Sequence, residues 1–385
     1  MSLQEFIDSH AAEYASLRQD LHQHPELGLE EVRTSAIVAG LLESWGYTVT
    51  RGMAKTGVVG TLRVGNSDKT LGLRAEMDAL PMQESPGKPW RSSVDGKFHG
   101  CGHDGHTATL LFAAHWLAKT RHFNGTLHVI FQPGEELLYG GKMMLEDGLF
   151  QQFPCDALFA LHNMPGLAQG SFYFRKGAML SSCDTLQIDV CGTGGHGAMP
   201  EKTVDAVVVA CYIVTAIQTI VSRNITPFQP SVITVGCIES GTVANIINER
   251  ATLKISVRTL DPQVRERVLK RIGAIVLHQA ESFGASAEVQ HLNGCPVLQN
   301  DPHMTDFAIS VARDLFDESL IHPHSSPVMA SEDFAFMLEA NSRGAYFFVG
   351  AGEGCSVHHP GYDFNDQIMK PAVLFWATLA EKFLK

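Results

Sequence analysis

This chain has no long uninterrupted apolar run, no block of lysine and arginine, no paired cysteines and no internal repeat. Each absence narrows what it can do. The most apolar stretch, Ala206 to Val221, is interrupted by Thr215, Gln218 and Thr219. A membrane-spanning helix needs about 20 apolar residues, so this stretch reads as a buried helix. Met1 to His24 is polar and charged, without the apolar centre of a signal peptide. The formal net charge is −12 with no basic cluster, which argues against nucleic acid or an anionic membrane as partner. The eight cysteines stand singly at 101, 155, 183, 191, 211, 237, 295 and 355, without disulfide-type spacing. A reducing cytoplasm fits, and it would keep Cys101 available as a thiolate.

With 385 residues, of which 45% are apolar and 18% charged, the chain can form two domains and a large core. Residues 1–44 read as helical with a breaker at His22-Gln23-His24-Pro25-Glu26-Leu27-Gly28. Strands follow at 47–50, 58–64, 70–74, 126–132 and 157–161, with a helix over 107–119. Strands alternating with helices predict an α/β fold, a mixed and largely parallel sheet flanked by helices. From Cys183 the order changes to strand, helix, strand, strand, helix, strand, which predicts an inserted two-layer α+β domain over 183–294. Residues 295–385 then return to the first domain, 1–182.

What is present is chemistry at strand ends. Cys101-Gly102-His103-Asp104-Gly105-His106 places one thiol and two imidazoles in six residues, the ligand types that zinc prefers. Asp78, Glu135, Glu136 and His162 follow apolar runs, and ligands of parallel sheets bind beyond the carboxyl ends of strands. Cys101, His103, Glu136, His162 and a histidine of the His358-His359 pair are too many ligands for one open catalytic zinc. They suit two cations about 3.5–4 Å apart with one shared ligand, and Cys101 is a plausible bridge. Glu135 and Glu136 point in different directions on a turning backbone. Glu136 can therefore bind metal while Glu135 serves as general base. Asp78 either binds metal or orients a ligand histidine. His196 lies in the loop Gly192-Thr193-Gly194-Gly195-His196-Gly197 and could donate to an oxyanion. Arg258 lies on the polar face of the alternating strand 253–258, where an arginine fork suits a carboxylate.

Taken together, these motifs resemble the aminoacylase/hippurate hydrolase branch of the dinuclear-metal aminoacylase–carboxypeptidase superfamily. The resemblance rests on His99-Gly100-Cys101-Gly102-His103-Asp104-Gly105-His106, Phe131-Gln132-Pro133-Gly134-Glu135-Glu136, Leu161-His162-Asn163 and Arg74-Ala75-Glu76-Met77-Asp78-Ala79-Leu80-Pro81. Gly194-Gly195-His196-Gly197, Ala330-Ser331-Glu332-Asp333-Phe334 and His358-His359-Pro360 add to it. It implies a zinc-exopeptidase-like catalytic domain interrupted by a lid that also dimerises. It implies hydrolysis of N-acyl or N-aroyl amino acids, with a metallodipeptidase or carboxypeptidase as the alternative and a non-catalytic ligand-binding protein as a third reading. By resemblance, Cys101, His103 and His162 hold one metal, and Cys101, Glu136 and His358 the other. Zinc is favoured by the thiolate, with manganese or cobalt as alternatives. Glu135 matches the general base, and His196 the lid histidine that reaches the partner subunit's site. Asn245 and Arg258 match substrate-contacting lid positions. Four departures stand out: Glu76 for aspartate, Leu137-Leu138-Tyr139 for a glycine-rich run, Asn248 for proline, and His359 for asparagine or serine.

Overall fold

A computed structural model describes residues 1–385. Two helices open the chain, α1 (Leu3–Gln23) and α2 (Val32–Ser44). Ser2 and Glu5 close a capping box at the start of α1, which satisfies two of its free amides. Next come β1 (Thr48–Met53), β2 (Gly57–Val64), β3 (Thr70–Glu76), α3 (His103–Thr120) and β4 (Gly125–Gln132). The helix α3 begins at His103, earlier than the periodicity suggested, because Gly102 takes a left-handed φ of 91° that turns the chain into it. Then follow α4 (Gly140–Glu146), α5 (Leu149–Gln152), β5 (Ala157–Pro165), β6 (Phe172–Tyr173) and β7 (Gly177–Leu180).

The next elements are β8 (Cys183–Cys191), β9 (Gly195–His196), α6 (Ala206–Thr219), β10 (Ser231–Glu239), β11 (Ile246–Ile247), β12 (Arg250–Thr259), α7 (Pro262–Ser282) and β13 (Ser286–Cys295). The chain closes with β14 (Leu298–Asn300), α8 (Pro302–Leu315), β15 (Ile321–His322), α9 (Phe334–Asn341), β16 (Gly344–Gly352) and α10 (Met369–Phe383).

Eight strands form one sheet in the order β1-β2-β4-β3-β5-β16-β6-β15. Its centre, β4-β3-β5-β16, is parallel, while β1, β2 and β6 make the antiparallel pairings. Every residue of β4 is buried, the signature of a strand covered on both faces. The parallel centre sends its carboxyl ends one way. The segments after β3 and β4, and His162 of β5, therefore meet beyond one edge of the sheet.

The chain forms two compact units. The first holds Met1–Gly177, Gln299–Ser326 and Asp333–Lys385, and the second Ala178–Leu298 with Pro327–Glu332. The insertion read from the sequence, 183–294, is thus narrower than the second unit. Pro327–Glu332 joins it because the Ser181 amide donates to the carbonyls of Val328 and Ala330. The second unit carries the antiparallel sheet β10-β12-β8-β13. Asp205 caps α6 and Asp261 caps α7. Inward residues of strands and helices, such as Ile188, Leu253, Ile255, Val209, Ile213, Val268 and Ile272, form its core.

One expectation needs correction. The α6 helix runs on through a π turn, Ile220–Asn224, so by length and composition alone residues 206–224 could cross a membrane. Nor is it wholly buried. Ala206, Val209, Ala210, Ile213 and Ile217 face the core, whereas Val207, Val208 and Tyr212 are exposed. A helical period can bury only one stripe against a single sheet, so an all-apolar helix leaves an apolar outer face.

Candidate metal centre

Five of the side chains singled out in the sequence meet in the first unit. The Cys101 Sγ lies 3.3 Å from His162 Nε2. Donor atoms of Cys101, His103 and His162 lie within 4.8 Å of one another, and so do those of Cys101, Glu136 and His358. Cys101 belongs to both groups. Glu135 stands beside them, its Oε2 3.9 Å from His103 Nε2.

Local backbone explains the convergence. A side chain at Gly102 would collide with the Tyr362 hydroxyl and the Asn163 amide, so glycine is required there for space as well as for its φ. His103 then opens α3 with its Nδ1 near the Asp78 carbonyl (3.0 Å) and Oδ1 (3.1 Å). The second Asp78 oxygen accepts the Glu136 amide at 2.9 Å. Asp78 thus ties a candidate ligand histidine to the glutamate turn, the arrangement of an orienting group. His358 is held at φ 63°, an uncommon conformation for a non-glycine residue. Its amide donates to the Gly100 carbonyl at 2.7 Å, and its Nε2 lies 3.3 Å from Glu136 Oε1. His359 is exposed and its Nδ1 accepts the Gly361 amide at 3.0 Å.

Whether a pair of cations suits these residues can be judged from their donor atoms. His103 Nε2 is buried without a hydrogen-bond partner, although such atoms are normally satisfied, and Glu136 Oε1 meets the His358 ring at 3.3 Å. Both lie at the cluster, 4.0 Å apart. A thiol, three imidazoles and a carboxylate form a donor set for borderline divalent ions, so the residues fit two metals.

In the absence of a cation, burial and the surrounding carboxylates set the protonation of these donors. Burial, then Glu136 and Glu135, hold the Cys101 thiol well above its usual value. A cation reverses that balance, since coordination deprotonates a thiol. Burial alone would lower the pKa of His103, but Asp78, Glu76 and Glu136 raise it to about 10. Burial and His106 push His162 down to about 3, leaving it neutral as a ligand must be. The His358 pKa is raised by its contact with Glu136.

Beneath the donors lies a polar scaffold that the sequence reading left largely unassigned. His106 Nδ1 meets Glu76 Oε2 at 2.9 Å, and its Nε2 accepts the Asn163 amide at 3.0 Å. Asn163 donates to the Cys101 carbonyl at 2.8 Å and accepts the Tyr362 hydroxyl at 2.7 Å. Arg74 pairs with Glu76 and, at 3.1 Å, with Asp333. Glu76 thus uses its longer arm to reach both Arg74 and His106. Farther back, His22 bridges Asp104 (2.8 Å) and Glu84 (3.2 Å). Nothing in a lone asparagine or tyrosine announced these contacts. The one available signal was burial-prone apolar sequence around Arg74 and His106, where a charge needs a partner.

The remaining candidates belong to the second unit. His196 is exposed, with Nδ1 accepting the Ala198 amide at 3.0 Å, which leaves Nε2 to carry the outward proton. Its strand β9 pairs with β11, and the Asn245 carbonyl accepts the Gly197 amide at 2.9 Å. Asn245 is therefore next to the His196 turn. Arg258 lies half-buried on the polar face of β12 and donates to the Met329 carbonyl (2.9 Å) and Ser331 hydroxyl (3.1 Å).

Comparison with known proteins agrees with this geometry. The profile of Peptidase family M20/M25/M40 matches residues 72–382. A hippurate hydrolase of Campylobacter jejuni is 43% identical over 97% of both chains. An N-acetyl-L-cysteine deacetylase of Bacillus subtilis is 34% identical over 96% of this chain and 87% of its own. Among solved structures, the Bacillus subtilis YXEP protein, a dinuclear metal binding peptidase from the M20 family, superposes with a TM-score of 0.86. It is 29% identical and covers 98% of this chain and 99% of its own.

Proposed function

The chain belongs to Peptidase family M20/M25/M40, and from that premise we propose that it hydrolyses the amide bond of N-acyl or N-aroyl amino acids, releasing a carboxylic acid and a free amino acid. The observation that carries this reading is the meeting of Cys101, His103, His162, Glu136 and His358 beside Glu135. We assign Cys101, His103 and His162 to one cation and Cys101, Glu136 and His358 to the other, with zinc as the preferred metal. When bound, such cations supply Lewis acidity to the scissile carbonyl and acidify water.

The protein's own groups do the rest. Glu135 takes a proton from the attacking water and delivers it to the leaving nitrogen. His196 offers its Nε2 proton to the developing oxyanion, and Arg258 recognises the substrate carboxylate with Asn245 beside the histidine. We place this chemistry in the cytoplasm, where the lone Cys101 stays reduced. We also propose a homodimer through the second unit. Val207, Val208 and Tyr212 form an exposed apolar face of α6, and β10 is an edge strand with unpaired amides on its free side.

Hippurate, N-acetylmethionine and a dipeptide, assayed with chelator and then with added zinc, manganese or cobalt, test the proposal. Chelator-sensitive cleavage of the first two supports it. Cleavage of the dipeptide alone would reassign the chain as a dipeptidase, and no metal-dependent cleavage of any would refute it.

A further inference from the structure

Glu31 is fully buried, and nothing so far gives it a task. It occupies the residue before α2, yet its side chain does not cap that helix. Instead Oε1 accepts the Gly134 amide at 2.8 Å and Oε2 accepts the Thr56 hydroxyl at 2.6 Å. Neither donor is cationic. A buried carboxylate without a cation is costly, and here these two hydrogen bonds offset that cost. The contact at Gly134 stands one residue before Glu135. On the other side, the Glu136 amide donates to Asp78. The general base is thus bracketed by two amides, each held by a buried carboxylate. Gly134 sits at φ 63° where the chain leaves β4, and the turn is closed by the Leu138 amide on the Glu135 carbonyl (2.7 Å).

We propose that Glu31 is a positioning residue: by holding the Gly134 amide it sets the reach of the Glu135 carboxylate. This rests on Glu135 being the base. Burial, with the facing charge of Asp78, raises the Glu31 carboxyl to about 7 against the opposing hydrogen bond from Thr56.

The test is a variant series on metal-replete enzyme with hippurate. In Glu31→Gln the amide oxygen can accept the Gly134 N–H while the Thr56 hydroxyl turns to accept from the amide nitrogen. Its kcat should stay within about threefold of wild type. In Glu31→Leu the Gly134 amide is orphaned, and kcat should fall about 10- to 100-fold, the scale of a small misplacement. KM and the number of metals bound should not change. If the leucine variant does not fold, Glu31→Asp decides. One methylene shorter, it cannot span both donors, and its kcat should drop several-fold at unchanged KM.

Wild-type kcat in the leucine or aspartate variant, a glutamine variant as slow as leucine, or metal loss that matches the rate loss would each overturn the proposal. Adding Glu31→Leu to Glu135→Gln should leave the residual rate unchanged, because the two act as a unit; additive losses would also overturn it. If Glu135→Gln alone keeps full activity, the base assignment fails whatever the Glu31 series shows.

Discussion

The two units of this protein use buried space in opposite ways. In the second, the core is almost wholly aliphatic, with Ile188, Val190, Leu253, Ile255, Val268 and Ile272 meeting between sheet and helices. Two of its candidate functional residues, His196 and Asn245, sit exposed on a turn held by backbone pairing, and the third, Arg258, is half-buried on β12. In the first unit, charged side chains penetrate the interior: Arg18, Arg74, Glu31, Glu76, Asp104 and His22 are all essentially inaccessible. The difference teaches where precision is required. A metal-holding base turn must be fixed to fractions of an ångström, and directional hydrogen bonds fix it better than aliphatic packing alone. A turn that meets a substrate on an exposed loop is under weaker local constraint.

The contrast can be broken by substitution. The largest effect is expected from Glu135→Gln, which should lower kcat about 10²- to 10⁴-fold while metal analysis shows unchanged content; normal turnover would remove the base from the scheme. Arg74→Met removes the cation that faces the buried Glu76 and Asp333 carboxylates and should destabilise by about 3–5 kcal/mol, read by denaturant unfolding. Ile255→Ala probes the other unit, where only a cavity results. It should cost about 2–5 kcal/mol in the unfolding of that unit and leave metal content unchanged. If Ile255→Ala instead strips the metals, the core of the second unit also supports the metal-binding residues of the first.

The smallest effect is a pH slope. Burial disfavours the His22 cation, but Asp104 and Glu84 overcome this and raise its pKa to about 9. A raised folded-state pKa stabilises fully below the unfolded value of about 6.5 and is lost as pH climbs through 9. His22→Gln should therefore flatten the decline in stability between those values; an unchanged slope would show that the pair network does not titrate there.

The sequence disclosed these two regions unequally. Alternation in 253–258 and the strand–helix order of the insertion were legible because an aliphatic sandwich is specified by period alone. The insertion's outline was less so, since Pro327–Glu332 joins it through hydrogen bonds from Ser181 that no periodicity encodes. Cys101, His103 and the two glutamates were legible because metal donors are few and their spacing is unusual. The choice of His358 over His359 depended on resemblance. The physical difference, a left-handed φ at His358 and a backbone tie to Gly100, lies in the backbone. Glu31 gave no signal in the sequence, because burial by a loop from another part of the chain leaves no local signature.

The strand order carries a consequence for synthesis. The β16 strand lies between β5 and β6, and His358, the proposed ligand, arrives later still. A nascent chain emerging from the ribosome has therefore exposed the whole inserted unit before the large sheet can close. Until then one flank of β5 waits unpaired, a template for wrong partners. Only a polypeptide made beyond His358 can assemble both groups of the proposed donors, so products truncated before it should be inert.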